Sequence, residues 1–201
     1  MGKAKQAKCA EQFASRQLGL LKENYSFSGY ERDLLALNLG TGRYLDISGI
    51  SGADSVTDGR GAVYADFDND GDLDIFLRAM HGPAHLLYRN EVGHENGFVR
   101  VTLKGRASGR DAFGAVVRIK TSAGILTKLK SGGSGYLAQN DPRLLFGLGD
   151  DERAEWMEVT WPAGYKQRFA GPRRGESLLL IEGEAKPVRV EERRFRLAPE
   201  R

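Results

Sequence analysis

The chain has very little of the residues that build covalent or soft-metal sites. Its 201 residues include a single cysteine, Cys9, and three histidines. One cysteine excludes an intramolecular disulfide and a cysteine-rich metal cage, and the sequence has no Cys-x-x-Cys-His motif for covalent haem. Long apolar runs are also missing: none approaches the ~18 residues that span a bilayer, and no signal peptide is visible. We therefore expect no transmembrane segment.

Groupings of catalytic residues are equally scarce. His81 and His85 share a stretch in which an intervening glycine and proline disfavour the helix that would align them as metal ligands. Ser134 lacks the second glycine of a nucleophile elbow, because Tyr136 stands at that position. The glycine cluster at 131–135 is not followed by the Lys-Ser or Lys-Thr of a phosphate-binding loop. The sequence predicts no catalytic residue, no organic cofactor and no enzyme activity.

Charge gives only weak information about partners. Lysine and arginine exceed aspartate and glutamate by 30 to 27, and the excess collects at the two ends of the chain. Aromatic residues do not alternate with the cationic ones, as a stacking platform for single-stranded nucleic acid would require. We therefore expect solvated ends, including a basic tail over residues 184–201, and no nucleic-acid partner.

Helical periodicity is confined to the N-terminal region. In residues 6–23 the apolar side chains recur on one face, and lysine and glutamine lie opposite. The sequence predicts one amphipathic helix here, within an N-terminal segment at 1–28. Its apolar face could pack on its own domain or on another chain.

From Leu34 onward the chain has the pattern of short strands separated by glycine-bearing turns. Val99, Val101 and Leu103, for example, alternate with polar residues such as Arg100, which predicts one buried and one wet face. We predict a mainly β fold of antiparallel sheets that closes as a β-sandwich. The predicted strands are 34–39, 62–65, 75–77, 98–103, 115–120, 125–130, 144–146, 156–161 and 177–181.

Residues 66–74, the aspartate loop, carry an acidic residue at every second position: Asp66, Asp68, Asp70, Asp72 and Asp74. Crowded carboxylates repel one another unless a cation neutralises them, and calcium accepts six to eight oxygen ligands. We expect Ca²⁺ to bind the side chains of Asp66, Asp68, Asp70 and Asp74 and the backbone carbonyl of Asp72, with a sharp turn at Gly71. Mg²⁺ is a second choice. The alternative is a metal-free turn held by Asx hydrogen bonds.

Two parts of the sequence resemble known families. Residues 59–77, Gly-Arg-Gly-Ala-Val-Tyr-Ala-Asp-Phe-Asp-Asn-Asp-Gly-Asp-Leu-Asp-Ile-Phe-Leu, with Leu-Leu-Tyr-Arg-Asn at 86–90, resemble an FG-GAP or VCBS repeat. Such repeats form blades of integrin-type β-propellers, and residues 37–48 resemble the strand pair that precedes one. Four downstream segments resemble the ASPIC/UnbV domain: 109–119, 131–141, 146–150 and 159–164. The resemblance implies a blade-like unit at 29–94 and an ASPIC/UnbV-like β-sandwich at 95–183.

The resemblance also implies a role and a location. Such proteins are extracytoplasmic, periplasmic or secreted, and use calcium-bound blades for adhesion or assembly without an established catalytic site. A single blade has open strand edges, so we expect it to be covered by the sandwich, the helix or another polypeptide. The hypothesis is a calcium-binding, non-catalytic interaction module, an accessory subunit of a larger extracytoplasmic or membrane-associated complex.

Two alternatives remain open at this point. The chain could be a carbohydrate-binding accessory domain, with Tyr136, Trp156 and Trp161 as candidates to stack on a glycan, although core packing is the commoner role of such residues. It could also be the non-catalytic subunit of an enzyme complex.

Overall fold

The computed structural model of the chain describes Ser15, residues 31–79 and residues 85–195. Apart from Ser15, the predicted N-terminal helix lies outside the described residues, as do Cys9 and His81. No helix in the described ranges is long and apolar enough to cross a membrane. Two short helical elements occur there, α1 (Ser48–Ser51) and the 3-10 turn Gly93–Glu95. The strands are β1 (Ala36–Asn38), β2 (Tyr44–Asp46), β3 (Gly59–Ala65), β4 (Asp74–Ala79), β5 (His85–Tyr88), β6 (Gly97–Lys104), β7 (Val116–Thr121), β8 (Gly124–Leu129), β9 (Leu144–Gly149), β10 (Trp156–Thr160), β11 (Lys166–Ala170), β12 (Glu176–Ile181) and β13 (Val188–Arg189).

The chain divides into two compact units. The first comprises Met1–Gly61 and Leu77–Leu86, and the second comprises Ala62–Phe76 and Leu87–Arg201. In the first unit β1 and β2 pair antiparallel, with Ala36 opposite Asp46. The Leu35 N–H donates to Ser48 Oγ at 2.8 Å, which ties this strand pair to α1. Strands β3, β4 and β5 form a sheet in that order.

The second unit contains two four-stranded sheets, with strand orders β11-β10-β7-β8 and β13-β12-β6-β9. Their inward side chains form one buried apolar cluster, to which both sheets contribute. The inward positions are those that the two-residue period predicts, because successive side chains of a strand point to opposite faces. Val99 and Val101 of β6 and Val117 and Ile119 of β7 are all fully buried. The predicted mainly β, sandwich-like fold is confirmed.

One strand pair departs from the predicted antiparallel arrangement. Strands β6 and β12 run parallel, with Val99 opposite Glu176 and Lys104 opposite Ile181. Parallel neighbours need a long crossover connection, and here β7 to β11 lie between the two strands in the sequence. Strands β2, β5, β11 and β13 were not among the strands that the alternation pattern predicts, although the family resemblance implies a strand pair at 37–48, where β2 lies. β11 has one buried apolar residue, Phe169, so its sequence carries little apolar alternation.

One expectation of solvent exposure is also wrong. Arg100, predicted on the wet face of β6, is 2% exposed. Most side chains of residues 188–195 are exposed, as expected for a solvated tail, but the backbone there is ordered by pairing: β13 pairs with β12, and Val190 N–H donates to Ser177 O at 2.8 Å. Arg100 is buried because the aspartate loop and residues 188–195, here called the C-terminal segment, both contact it.

Candidate metal centre

The aspartate loop connects the end of β3 to the start of β4 and makes a sharp turn in between. Asn69 has a φ of +59° and Gly71 a φ of +108°, both in the region that side chains disfavour. A Cβ atom on Gly71 would lie 2.1 Å from the ring of Phe98. Glycine is therefore required at position 71 by both its backbone angle and its closeness to β6, as the sequence predicts.

Three of the five aspartates come together. Asp66, Asp68 and Asp74 each place a carboxylate oxygen within 4.8 Å of the others. Their exposures are 2%, 5% and 1%, so the three side chains are buried. Asp70 and Asp72 were also predicted as ligands, but their carboxylates are not part of this group. Asp70 Oδ1 accepts the Asp72 N–H at 3.2 Å, and the carbonyl role of Asp72 stays a prediction.

Backbone hydrogen bonds hold the carboxylates in place. Asp66 accepts the N–H groups of Asp70 and Gly71, both at 3.0 Å. Asp74 accepts the Phe67 N–H at 3.0 Å and the Asn90 N–H at 2.9 Å. Bonds of this kind are expected in a metal-free Asx turn as well as around a cation. They fix the loop geometry in either case.

The three buried carboxylates differ in whether a cationic side chain pairs with them. Asp66 forms a buried ion pair with Arg100. Neither Asp68 nor Asp74 pairs with a cationic side chain from the described ranges of the chain. Burial raises the pKa of the Asp74 carboxyl, repulsion from Asp68 adds to this, and the N–H donors of Asn90 and Phe67 oppose it. The centre therefore holds buried negative charge without a full set of counter-charges.

The donor set suits a hard cation. All candidate side-chain donors are carboxylate oxygens, which calcium and magnesium prefer, whereas zinc and copper favour nitrogen and sulfur. Asp66, Asp68 and Asp74 would hold the ion from three sides, and backbone carbonyls or water would complete its shell. Calcium tolerates such irregular coordination better than magnesium, which demands near-octahedral geometry.

Sequence reasoning missed a second group of residues, which surrounds the centre. Arg100 pairs with Glu192 as well as with Asp66. Arg143 pairs with Asp141 at 2.6 Å and with Glu192 at 3.0 Å, and it donates to the Asp66 carbonyl at 3.1 Å. One feature of the sequence could have indicated that Arg100 is part of this charged group: it stands in the middle of the otherwise apolar stretch from Phe98 to Val101.

The C-terminal segment also contacts the aspartate loop directly. The Phe195 N–H donates to the Asp68 carbonyl at 2.7 Å. Asn69 Nδ2 donates to the Arg193 carbonyl at 3.0 Å. Arg194 Nη2 donates to the Asp70 carbonyl at 3.2 Å. With Glu192, these contacts place four consecutive residues, 192–195, at or next to the centre.

The aromatic candidates for glycan stacking separate into buried and exposed. Trp161 is 1% exposed, and its indole N–H donates to Gln167 Oε1 at 3.0 Å, so it belongs to the core and cannot stack on a glycan. Trp156 is half-buried, with the Arg168 guanidinium 4.4 Å from its ring centroid. Tyr136 is 68% exposed.

His85, which the sequence analysis considered as a metal ligand, is exposed at the start of β5.

Comparison with known proteins finds relatives for part of the chain. Over 109 residues, 53% of its length, the chain is 42% identical to cartilage acidic protein 1 of Homo sapiens and 40% identical to the Xenopus tropicalis protein of that name. The matched stretch spans only 16% of the length of each relative. Residues 105–187 match the family described as ASPIC and UnbV. The FG-GAP or VCBS repeat stays a prediction, whereas residues 105–187 form an ASPIC and UnbV domain.

Proposed function

We propose that the chain is a calcium-binding, non-catalytic interaction module, and that it serves as an accessory subunit of a larger extracytoplasmic or membrane-associated complex. One observation carries the calcium part: Asp68 and Asp74 are buried, close together and without a cationic side-chain partner in the described structure. Buried charge that lacks a partner is costly, and a divalent cation relieves that cost.

The surroundings of the centre support a role in organising a surface. A bound ion would fix the carboxylates of Asp66, Asp68 and Asp74, and the loop that carries them contacts both β6 and the C-terminal segment. The matched relatives are named for cartilage, which supports a setting outside the cytoplasm. The proposal places any protein partner against this ion-stabilised region.

Calorimetric titration of the full chain with CaCl₂, together with thermal melting in calcium and in chelator, tests the calcium part. At a calcium concentration 100 times the dissociation constant, binding to the native state alone contributes about 2.7 kcal/mol. Asp68→Ala should weaken calcium binding at least tenfold and remove most of the calcium-dependent rise in melting temperature. Asp150→Ala replaces an exposed aspartate and serves as the matched control, which should behave as the wild type.

The outcome that contradicts the calcium role is clear. If Asp68→Ala lowered the melting temperature equally in calcium and in chelator, Asp68 would serve only the metal-free turn. Absence of calorimetric heat at millimolar calcium would lead to the same conclusion.

A further inference from the structure

A cavity of about 320 Å³ lies at the edge of the sandwich, within the second unit. Strand β8 and the residue after it supply Lys128 and Lys130 on one side, and Tyr64, Ser134 and Asn140 lie on another. The volume is at the small end of the ~300–1,000 Å³ range of ligand pockets. It suits a ligand the size of one sugar ring.

The polar wall of the cavity is held by hydrogen bonds. Asn140 Oδ1 accepts the Tyr64 N–H, and the Asp141 N–H donates to the Tyr64 carbonyl, both at 3.1 Å. Asn140 Nδ2 donates to Ser134 Oγ at 2.6 Å. The amide and hydroxyl groups on this wall are thus positioned in advance, which lowers the entropy lost on binding.

Three cationic side chains line the cavity, and two of them have partners. Arg143 pairs with Asp141 and Glu192. Lys130 Nζ donates to the Pro142 carbonyl. Lys128 is different, because no carboxylate in residues 31–79 or 85–195 forms an ion pair with it. Its ammonium lies 5.7 Å from the centroid of the Phe146 ring.

The position of Lys128 in β8 makes its charge unusual. It lies on the same face as Leu126, which packs against the core, while Ile125 and Leu129 on the other face are exposed. Burial lowers the pKa of the Lys128 ammonium. A partly desolvated ammonium without an acidic partner gains more from an incoming anion than a solvated surface lysine does.

We infer that this cavity binds a small organic acid that carries hydroxyl groups, of the sugar-acid class. Lys128 meets the carboxylate, the Ser134 hydroxyl and the Asn140 amide meet ligand hydroxyls, and Leu73 and Leu144 contact the less polar face of the ring. The combination of one cation, several hydroxyl or amide groups and aliphatic walls matches that chemistry. Leu73 of the aspartate loop lines the site, but none of the carboxylates of the metal centre does, so the inference does not depend on the calcium proposal.

Titration of the full chain with sodium D-glucuronate, followed by calorimetry and by NMR chemical shifts, tests this inference. Glucuronate should bind at least tenfold more tightly than D-glucose or inorganic sulfate. Lys128→Met should weaken glucuronate binding at least tenfold, and Lys128→Arg should retain most of it. Lys166→Met is the matched control, because Lys166 is an exposed lysine on β11 at the opposite edge of the same sheet.

Four results would overturn the inference: no glucuronate binding by the wild type, glucuronate affinity unchanged in Lys128→Met, glucose bound as tightly as glucuronate, or sulfate bound as tightly as glucuronate. Strand β8 is an edge strand, and inward charges on such strands discourage pairing with other chains. Self-association of Lys128→Met, with no glucuronate binding by the wild type, would assign Lys128 to that protective role instead. Every titration is repeated in calcium and in chelator, so failure of calcium binding is distinguished from failure of this site.

Discussion

Single residues decide the geometry of the aspartate loop, and Gly71 does so most directly. Its φ of +108° is unfavourable for any side chain, and an added methyl would overlap the Phe98 ring. A left-handed backbone alone costs a non-glycine residue about 1–2 kcal/mol. Gly71 thus couples the turn of the loop to its contact with β6.

Gly71→Ala should therefore lower the free energy of unfolding by at least about 2 kcal/mol, since backbone strain and the Phe98 contact act together. It should also weaken calcium binding by disturbing Asp66 and Asp68. Urea denaturation and calorimetric titration measure the two effects. Gly133→Ala is the control, because Gly133 has no atoms near its added Cβ and no positive φ. Equal stability of the two variants would refute the argument.

Glu182 is a second residue whose surroundings determine its chemistry. It is 1% exposed, and its carboxylate accepts the backbone N–H groups of Arg106 and Ser108 and the Ser108 hydroxyl. Burial alone would raise its pKa, but the hydrogen bonds from Ser108, Arg106 and Tyr165 outweigh burial and lower it below the ordinary value. Glu182 thereby fixes the start of the connection between β6 and β7.

A depressed carboxyl pKa has a defined effect on stability. The contribution of Glu182 is complete above the unfolded value, about 4.5, and is lost as the pH falls through the lower folded value. Glu182→Gln should be less stable than wild type at pH 7, and the difference should shrink as acid protonates the wild-type carboxylate. Urea denaturation from pH 7 to pH 3 measures this. Glu155→Gln, at an exposed position, should stay close to wild type; a constant Glu182→Gln deficit across the range would contradict the prediction.

At the scale of elements, the C-terminal segment contacts the metal centre through Glu192, Arg193 and Phe195. Glu192 is 18% exposed at its side chain and pairs with both Arg100 and Arg143. Arg100 is almost fully buried, so loss of one of its partners leaves charge poorly compensated. The residues that follow β13 therefore stabilise the aspartate loop through the ion pairs of Glu192.

Glu192→Gln should lower the free energy of unfolding by about 1–3 kcal/mol, less than a fully buried pair because solvent reaches Glu192 in part. Amide hydrogen exchange of residues 66–72 should accelerate in the same variant. Glu191→Gln alters the exposed neighbouring glutamate and controls for the change in net charge. If residues 66–72 exchanged their amide hydrogens at the same rate in both variants, the C-terminal segment would not stabilise the loop.

At the scale of the molecule, local patterns predicted the sandwich well. The two-residue alternation placed Val99, Val101, Val117 and Val159 on the buried face, and all four are fully buried. The expectation of glycine-bearing turns between strands holds between β7 and β8, which pair antiparallel and meet at Gly124, whose φ is +147°. Such features depend on neighbours in sequence, so the sequence alone contains enough information to find them.

Features that depend on distant parts of the chain were not predictable in this way. Alternation marks Arg100 as a polar position of β6, but only the loop around Asp66 and the segment around Glu192 make that position buried. The parallel pairing of β6 with β12 likewise depends on the path of the intervening strands. In the metal centre, the two-residue spacing identified the aspartates. It did not identify Arg100 and Arg143, which pair with acidic side chains at and around the centre.

The family match stops at residue 187, one residue before β13 begins. A fragment trimmed to that boundary for crystallography would lose the strand that flanks β12 and the glutamate between two arginines. Its β12 would become an outer edge open to aggregation. An expressed domain should therefore extend to Phe195, although the family match ends at residue 187.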